Sequence, residues 1–390
     1  MTKVRIKEFA KNYDYALAIA VILIGVFGVF MVYAFGNAPS APQFIVNQFG
    51  EFWTRQRIYI ISGGILMVLV SFIDYRFITR FYLYIYGLMI VLLALVMITG
   101  VDDGTNVARW LWIPVPGLGR ISMQPSEFSK LFMIIFLAKF LDAKKETFNK
   151  VWWVGLILVL IMVPVFLVTR QPSLSASLVV LFTSLTVLFV AGLYFRTILV
   201  GLGLLAPIVV LIWLDLQREV PVILARLLSP FQLRRITTWQ NPIIGSDEFH
   251  QTQSSLRAIS GGGLTGRGFL NNSYVANGHN DFVFSLVAEQ FGFIGAAVLL
   301  MVIGFIIVKC IRIGQRAADM EGKLIAAGVA GMLIFETFVH VGVTTNILPN
   351  TGMPFPFLSF GGSMIWVHMI AMGMVFNVAQ PRKRSMFEDD

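Results

Sequence analysis

Long apolar segments recur along the chain and are separated mostly by short polar connections. A helix of roughly 20 apolar residues spans a bilayer core about 30 Å thick, and most of these segments approach that length. The pattern therefore predicts an all-α polytopic membrane protein with about ten transmembrane helices. The predicted spans are Tyr15–Phe35, Ile58–Ile73, Phe81–Thr99, Phe128–Leu141, Val151–Val168, Leu174–Val190, Ile198–Leu214, Phe282–Cys310, Leu324–Thr344 and Phe357–Val378.

One connection is much longer than the others. It runs from Asp215 to Asp281, between the seventh and eighth predicted spans. Loops longer than about 15 residues are usually functional or disordered. Within it, "VPVILARLLSPF" is amphipathic and is predicted to lie at the membrane interface, and "AISGGGLTGRGF" predicts a flexible glycine turn. We predict one membrane domain over residues 1–390, with 215–281 as a large extracytoplasmic loop and 379–390 as a cytoplasmic tail.

The composition agrees with a membrane protein and excludes an ordinary soluble domain. Of 390 residues, 57% are hydrophobic and 13% are charged, whereas charged residues make up about a quarter of a typical soluble domain. The net charge of +9 does not indicate nucleic-acid binding, because basic residues in a membrane protein first report topology. The single cysteine, Cys310, excludes an intrachain disulfide.

Lysine and arginine residues are concentrated in alternate connections, beginning with the N-terminus. The positive-inside rule places these connections in the cytoplasm. Both termini are therefore predicted to be cytoplasmic, and an even number of spans gives the same result. The residues concerned are Lys3, Arg5, Lys7, Lys11, Arg76, Arg80, Lys144, Lys145, Lys150, Arg196, Lys309, Arg312, Arg316, Lys323, Arg382, Lys383 and Arg384.

The first polar feature that needs a reason is "QPSEFSKLF". Pro125 and Ser126 are typical of a helix start, and Glu127 and Lys130 share a face of that helix. One interpretation is a local ion pair that anchors the helix end at the membrane surface. The other is a polar group facing a substrate cavity, because charges within the membrane usually face the bundle interior or a cavity.

Arg109, Trp110 and Arg120 raise a similar choice. They fit an interfacial belt of aromatic and cationic residues, or the capture of an anionic headgroup, since arginine suits phosphate.

The histidines His250, His279, His340 and His368 match no metal-binding spacing. We therefore assign no metal site to them.

Asp281 in "GHNDFVFSLVAEQ" stands directly before a strongly apolar segment. It suits an N-cap that accepts hydrogen bonds from the first amides of the following helix, which stabilises a helix by roughly 1 kcal/mol. It equally suits a catalytic carboxylate at the outer edge of the membrane. The residues alone leave both interpretations open.

Six motifs, in order along nearly the whole chain, resemble those of the SEDS family (shape, elongation, division and sporulation proteins such as RodA, FtsW and SpoVE). Each motif is weak by itself, and six in order are specific; the last is most similar to the RodA type. The motifs are "ARWL" (Ala108–Leu111), "QPSEFSKL" (Gln124–Leu131), "QPSLSASL" (Gln171–Leu178), "GGLTGRGF" (Gly262–Phe269), "GHNDFVFSLVAEQFGFIGA" (Gly278–Ala296) and "LPNTGMPFPFLSFGGS" (Leu348–Ser363).

The resemblance implies a peptidoglycan glycosyltransferase in the bacterial plasma membrane. Such enzymes polymerise lipid II, a disaccharide-peptide on undecaprenyl diphosphate, during elongation, division or sporulation. The family's catalytic aspartate maps onto Asp281. The resemblance also implies substrate-binding roles for Arg109, Gln124, Glu127, Lys130, His279, Ser359 and Gly361.

The chain departs from the family pattern at several positions. The family commonly has Q-P-D-L-G where this chain has Gln171 to Ser175, so a carboxylate is missing there. The usual asparagine of the ninth span is His340, and the usual threonine before the catalytic aspartate is Asn280. These changes affect the assignment within the family more than the assignment to it.

The chemistry expected from the resemblance requires one base and positive charge. Asp281 would accept the proton of the attacking hydroxyl, while Arg109, Lys130 or a divalent cation (Mg²⁺ or Mn²⁺) would stabilise the leaving diphosphate. The alternatives are a lipid II flippase and a scaffold that activates a partner synthase.

The resemblance also implies a class B penicillin-binding protein as partner. Small residues around Gly328 and Gly331 could form its docking face or simply pack helices within the bundle.

Overall fold

The computed structural model describes residues 13–39, 43–102, 108–115, 119–171, 173–218, 221–242 and 246–380. The basic residues predicted at the two ends, and residues 381–390 of the predicted tail, lie outside this part. The elements are α1 Tyr15–Gly36, α2 Gln43–Phe72, α3 Tyr75–Thr79, α4 Tyr82–Thr99, β1 Val101–Asp102, β2 Ala108–Val115, β3 Gly119–Met123, α5 Pro125–Ala143, α6 Val151–Arg170, α7 Leu174–Ala191, α8 Phe195–Leu216, α9 Ile223–Leu227, α10 Pro230–Gln240, α11 Asp247–Gly262, α12 Val283–Gln315, α13 Met320–Thr344 and α14 Gly362–Val378.

Every predicted span corresponds to a helix, and the protein is a multi-pass membrane protein. Within the described residues, seven helices are long and apolar enough to cross a bilayer: α1, α2, α4, α6, α7, α12 and α13. Helix α14 is apolar but shorter. The most apolar window of α13 is 72% buried and that of α4 only 17%. Helix α13 therefore lies at the centre of the bundle, while α4 turns most of its apolar surface outward. The exact count of ten crossings stays a prediction.

A small antiparallel sheet, β1-β2-β3, connects α4 to α5. Strand β2 pairs with β3 from Leu111 opposite Met123 to Val115 opposite Gly119. The all-α prediction holds for the membrane part but missed this sheet. The aromatic and β-branched residues of "RWLWI" favour a strand, and they were interpreted only as an interfacial belt.

The described residues of the long connection 215–281 form three helices before α12, namely α9, α10 and α11. The carboxylate of Asp215, at the end of α8, accepts hydrogen bonds from the amides of Val222, Ile223 and Leu224 at 3.0, 2.8 and 2.9 Å. Helix α10 begins with a capping box, in which the side chains of Ser229 and Gln232 each bond the other's backbone amide. Local capping therefore orders this segment close to the membrane.

Gly262 and Gly266 serve close packing. Helix α11 extends to Gly262, so the predicted glycine turn begins only at Gly263, and its flexibility stays a prediction. A Cβ on Gly262 would lie 2.0 Å from the Ala288 carbonyl oxygen, and one on Gly266 would lie 2.2 Å from the Gln290 carbonyl oxygen. Helix α12 is broken at Gly292, where φ is 66°. The amides of Gly268 and Phe293 donate across this contact at 3.0 and 2.9 Å. The docked segment thus satisfies backbone groups that a broken helix would expose.

The glycines of α13 also pack within the bundle. A Cβ on Gly328 would lie 2.9 Å from Ile134 of α5, and one on Gly331 would lie 2.7 Å from Thr186 of α7. Both glycines are buried. The suggested lateral docking face around them is therefore wrong, and the alternative of helix packing is correct.

Candidate active site

Asp281 does not cap the helix that follows it. Helix α12 begins at Val283, and its N-cap, Phe282, makes no side-chain capping bond. The ring of His340, fully buried in α13, performs this function instead: its Nε2 accepts from the Phe284 amide at 3.3 Å. Its Nδ1 then donates to the Met353 carbonyl oxygen at 2.6 Å. The N-cap interpretation of Asp281 is thus wrong, and its carboxylate is available for another role.

Asp281 lines a cavity of about 280 Å³, which we call the Asp281 cavity. Its walls come from β2, the start of α5, the start of α7, α10, the turn before α12, the segment after α13 and the start of α14. The lining residues are Arg109, Trp110, Gln124, Glu127, Ser173, Ser175, Ala176, Arg235, Asn277, Asn280, Asp281, Thr351, Gly352, Met353, Pro354, Phe360, Gly361, Ser363 and Met364. The cavity is therefore mostly polar, at the end of an apolar bundle.

The carboxylate of Asp281 accepts no hydrogen bond from the residues the structure describes. Loss of bulk water raises its pKa above the usual range, and the positive charges of Arg235 and Arg109 oppose this rise. Gly352 lies between two of these groups: a Cβ there would be 3.1 Å from Arg235 Nη1 and 3.2 Å from Asp281 Oδ2. Asp281 thus combines a raised pKa with two nearby cations that can bind an anionic substrate group.

A closed network of charges lies behind the cavity. Lys130 Nζ donates to Glu127 Oε2 at 2.7 Å and to Glu336 Oε1 at 2.6 Å. His368 Nε2 lies 2.5 Å from Glu336 Oε2. These four side chains, which we call the buried quartet, join α5, α13 and α14, and each is at least nine-tenths buried. Both interpretations of Glu127 and Lys130 are therefore realised, because the pair is ionic and Glu127 also lines the cavity.

The quartet holds one proton between Glu336 and His368. The ring Nδ1 of His368 lies 2.7 Å from the Met364 carbonyl oxygen, which can only accept, so Nδ1 carries a proton. The contact between Nε2 and the Glu336 carboxylate then needs a further proton, on either group. In both cases the quartet is electrically neutral, which is the least unfavourable state for charges away from water.

The predicted site residues fall into two groups. Arg109, Gln124, Glu127 and Gly361 line the cavity with Asp281, whereas the others stand behind it. Lys130 reaches it only through Glu127.

The ring of His279 packs against Phe35, Phe52 and Phe360, with centroids 4.9 to 5.9 Å apart. Burial lowers the pKa of His279 to about 4. The Ser359 hydroxyl donates to the Asn280 carbonyl oxygen at 2.7 Å. His279 and Ser359 therefore pack around the turn before Asp281 and stabilise it. Neither residue lines the Asp281 cavity.

Sequence analysis missed Arg235, Glu336 and His368. Arg235 lies on α10 in the long outer segment, where nothing in the sequence connects it with Asp281. A usable signal existed for Glu336, the acidic residue within the apolar run "LIFETFVHV". A carboxylate within a span needs a partner, and Lys130 was available.

The cavity does not fit a divalent cation bound by protein groups. The described residues contain no group of three or more His, Cys, Asp or Glu side chains that could hold a metal ion. The charged lining consists of two carboxylates and two guanidinium groups, and one carboxylate, Glu127, is paired with Lys130. The positive charge near Asp281 is therefore supplied by arginine.

The model of the FtsW/RodA/SpoVE family, described as "Cell cycle protein", matches residues 14–384. The chain belongs to this family. It is 32% identical over 376 residues to stage V sporulation protein E of Bacillus subtilis, covering 94% of this chain and 97% of that protein. It is 29% identical over 376 residues to a probable peptidoglycan glycosyltransferase FtsW of Trichlorobacter lovleyi, covering 94% and 93%.

Two solved structures share the fold. The rod shape determining protein RodA of Thermus thermophilus matches with a TM-score of 0.66 and 28% identity, over 96% of this chain and 98% of that chain. A chain from a study of "structural coordination of polymerization and crosslinking by a peptidoglycan synthase complex" matches with a TM-score of 0.75 and 29% identity, over 94% and 97%.

Proposed function

We propose that this chain is a peptidoglycan glycosyltransferase that polymerises lipid II, with Asp281 as the general base. The observation that carries the proposal is the state of Asp281: its carboxylate caps no helix, accepts no hydrogen bond from the described residues and faces a polar cavity beside Arg109 and Arg235. The names of the FtsW relatives support the reaction class.

The proposed step needs only these groups. Asp281 accepts the proton of the acceptor hydroxyl while that oxygen forms a bond to the anomeric carbon of the donor sugar. The bond between that carbon and the diphosphate oxygen breaks, and the diphosphate leaves with the bonding electrons. Arg109 and Arg235 stabilise its negative charge. Attack opposite the leaving group inverts the anomeric centre, so an α-linked donor gives a β-linked product.

The position of the cavity suits a lipid-linked donor. Asp281 lies in the turn just before the apolar helix α12, so a sugar can occupy the polar cavity while its lipid lies along the apolar bundle. The basic residues in alternate connections support cytoplasmic termini and an extracytoplasmic Asp281 cavity in the bacterial plasma membrane. The reaction would then take place on the outer surface of that membrane.

A direct experiment is polymerisation of purified lipid II by the purified full-length protein in detergent. The wild type should form glycan chains and Asp281→Asn should not. Glu51→Gln makes the same carboxylate-to-amide change at an exposed side chain, 73% accessible, and should keep wild-type activity. Glycan synthesis by Asp281→Asn at the wild-type rate would remove Asp281 from the mechanism.

A lipid II flippase is the second candidate, favoured by two observations. Helix α12 is broken at Gly292, and α13 carries the buried Glu336. Broken helices and buried charges are both typical of transporters. Flipping needs a sealed bilayer, whereas polymerisation in detergent does not. Transport of lipid II across vesicles by a protein that makes no glycan would favour the flippase.

A class B penicillin-binding protein is the proposed partner, and the similarity to a chain of a peptidoglycan synthase complex supports it. The outward apolar surfaces of the peripheral helices offer room for a single-span partner. Co-purification in mild detergent should recover the transpeptidase in near-equal amounts, and adding it should raise glycan synthesis. If the transpeptidase neither co-purifies nor raises glycan synthesis, the protein is a polymerase that acts without this partner.

A further inference from the structure

A second cavity, of about 210 Å³, shares the lining residue Arg235 with the Asp281 cavity. We call it the Trp239 cavity. It lies between α10, α11 and the segment after α13, in the outer part of the molecule. Its lining residues are Arg235, Thr238, Trp239, Pro242, Phe249, Thr252, Gln253, Leu256, Asn346 and Asn350. Arg235 lines both cavities, and Asn350 in this one is followed directly by Thr351 in the other.

The lining combines aromatic rings with neutral hydrogen-bonding groups. Trp239 and Phe249 provide flat apolar surfaces, and the Trp239 ring is fixed by donation from Nε1 to the Asn346 carbonyl oxygen at 3.1 Å. The amides of Gln253 and Asn346 can each donate and accept hydrogen bonds. Arg235 is the charged group among the described lining residues. These features suit a neutral ligand with flat apolar faces and hydroxyl edges, which describes a sugar ring.

The hydroxyl of Thr238 gives independent evidence of a ligand. The residue is 5% exposed, and its Oγ1 has no hydrogen-bond partner among the described residues. A buried hydroxyl without a partner costs about 1–3 kcal/mol. Thr238 lines the cavity, so a rotation of its side chain brings the hydroxyl to a bound molecule, which can supply the missing partner.

Size also favours joint use of the two cavities. Each is at or below the lower end of the ~300–1,000 Å³ range of small-molecule sites. Arg235 is part of the wall of both, so a ligand long enough to pass this side chain has more room than either cavity offers alone. A chain of sugars has this shape, and a single headgroup does not.

We propose that the Trp239 cavity is a saccharide subsite that holds a sugar of the glycan strand next to the one reacting at Asp281. This inference rests on the proposed function. Binding a second sugar would keep the strand attached between successive additions, so the subsite controls glycan length as well as affinity. A donor with its lipid in the membrane cannot place that lipid here, because α10 and α11 belong to the outer segment.

The test measures binding of a fluorescent β-1,4-linked N-acetylglucosamine oligomer, without lipid or peptide, to the purified full-length protein. Thr238→Val removes the hydroxyl but keeps the side-chain shape, so the protein should not lose thermal stability. Oligomer binding should weaken about two- to tenfold, and glycans made from lipid II should become shorter. Trp239→Leu should weaken binding further by removing the aromatic surface.

Thr237→Val is the matched control. Thr237 precedes Thr238 on α10, donates to the Arg234 carbonyl oxygen at 3.1 Å, and does not line the cavity. It should bind oligomer as the wild type does. The inference is overturned if the wild type binds no oligomer, if Thr238→Val and Trp239→Leu both bind normally, or if free stem peptide binds more tightly than the oligomer. A wild type that makes no glycan from lipid II instead overturns the proposed function, in a separate assay.

Discussion

Two groups of ionisable side chains lie close together in this protein, and their states are opposite. In the buried quartet, Lys130, Glu127, Glu336 and His368 are each bonded to another member at 2.5 to 2.7 Å. Asp281, by contrast, accepts no hydrogen bond from the described residues and faces a cavity. A fully bonded set of charges holds helices together, whereas an unbonded carboxylate can exchange a proton. The comparison therefore distinguishes charged side chains that stabilise the fold from a carboxylate that can take part in a reaction.

The largest effect is expected from Asp281→Asn. General bases contribute about 10²- to 10⁴-fold to rate, so glycan synthesis should fall at least about 100-fold. Because Asp281 accepts no hydrogen bond from the part of the chain that the structure describes, the variant should fold normally. Polymerisation and thermal unfolding of the same preparation check both parts. A variant that loses activity only because it unfolds would show that Asp281 is structural after all.

The reverse pattern is expected in the buried quartet. Lys130→Ala leaves Glu127 and Glu336 without their cation, and an unpaired buried charge costs about 3–5 kcal/mol. The melting temperature in detergent should therefore fall much further than in Asp281→Asn. Combining Lys130→Ala with Glu127→Ala should destabilise less than the sum of the two changes, because the groups are in contact. Additive losses would mean that the two side chains act independently.

A smaller and more local effect is expected at Gly352. Its φ is 69°, and its Cβ position lies between Arg235 and Asp281. Gly352→Ala should cost about 1–2 kcal/mol in stability through its backbone conformation and should also push the two groups apart. Activity should fall more than stability explains.

Gly192→Ala is the matched control for Gly352. Gly192 has φ of 93°, and nothing lies within 4 Å of its Cβ position. It should show a similar stability loss with near-normal activity. Equal activities for the two alanine variants would mean that the spacing around Gly352 is unimportant.

The smallest effect is a pH dependence of stability. The pKa of Asp281 is raised in the folded protein, so folding favours the protonated carboxyl and its ionisation at higher pH destabilises the fold. Asp281→Asn should therefore melt slightly higher than the wild type at neutral pH. The difference should shrink as the pH falls and Asp281 becomes protonated in both states. Catalysis runs the other way, since the base must be ionised and the rate should rise with pH. Thermal unfolding of the wild type and Asp281→Asn at several pH values measures the sign of the difference in melting temperature.

The sequence predicted the features that depend on local pattern. Apolar runs located the helices, since burial in lipid demands about 20 apolar residues wherever a helix crosses. The pair Glu127 and Lys130 followed from helical spacing, and Asp281 was singled out by its position before an apolar run and by its motif.

Contacts between distant parts of the chain could not be predicted in this way. The capping of α12 by His340 joins residues 56 positions apart, and no spacing rule connects them. The role of Arg235 depends on how α10 folds back over the cavity. The close packing of Gly262 and Gly266 could not be predicted for a different reason, because glycine serves flexibility and close packing equally well.

The break in α12 has a consequence for how the protein opens. The amides of Gly268 and Phe293 donate across the contact between 262–268 and the Gly292 break, and the Glu289 carboxylate accepts from Ser273 on the same side. Segment 262–268 and the helix around Gly292 therefore cannot separate without breaking these hydrogen bonds. The N-terminal part of α12, which begins just after Asp281, should therefore exchange its amide hydrogens together with 262–268 as one cooperative unit. The C-terminal part, from Gly295 to Gln315, would belong to a different unit, so a single helix by sequence behaves as two in its opening equilibria.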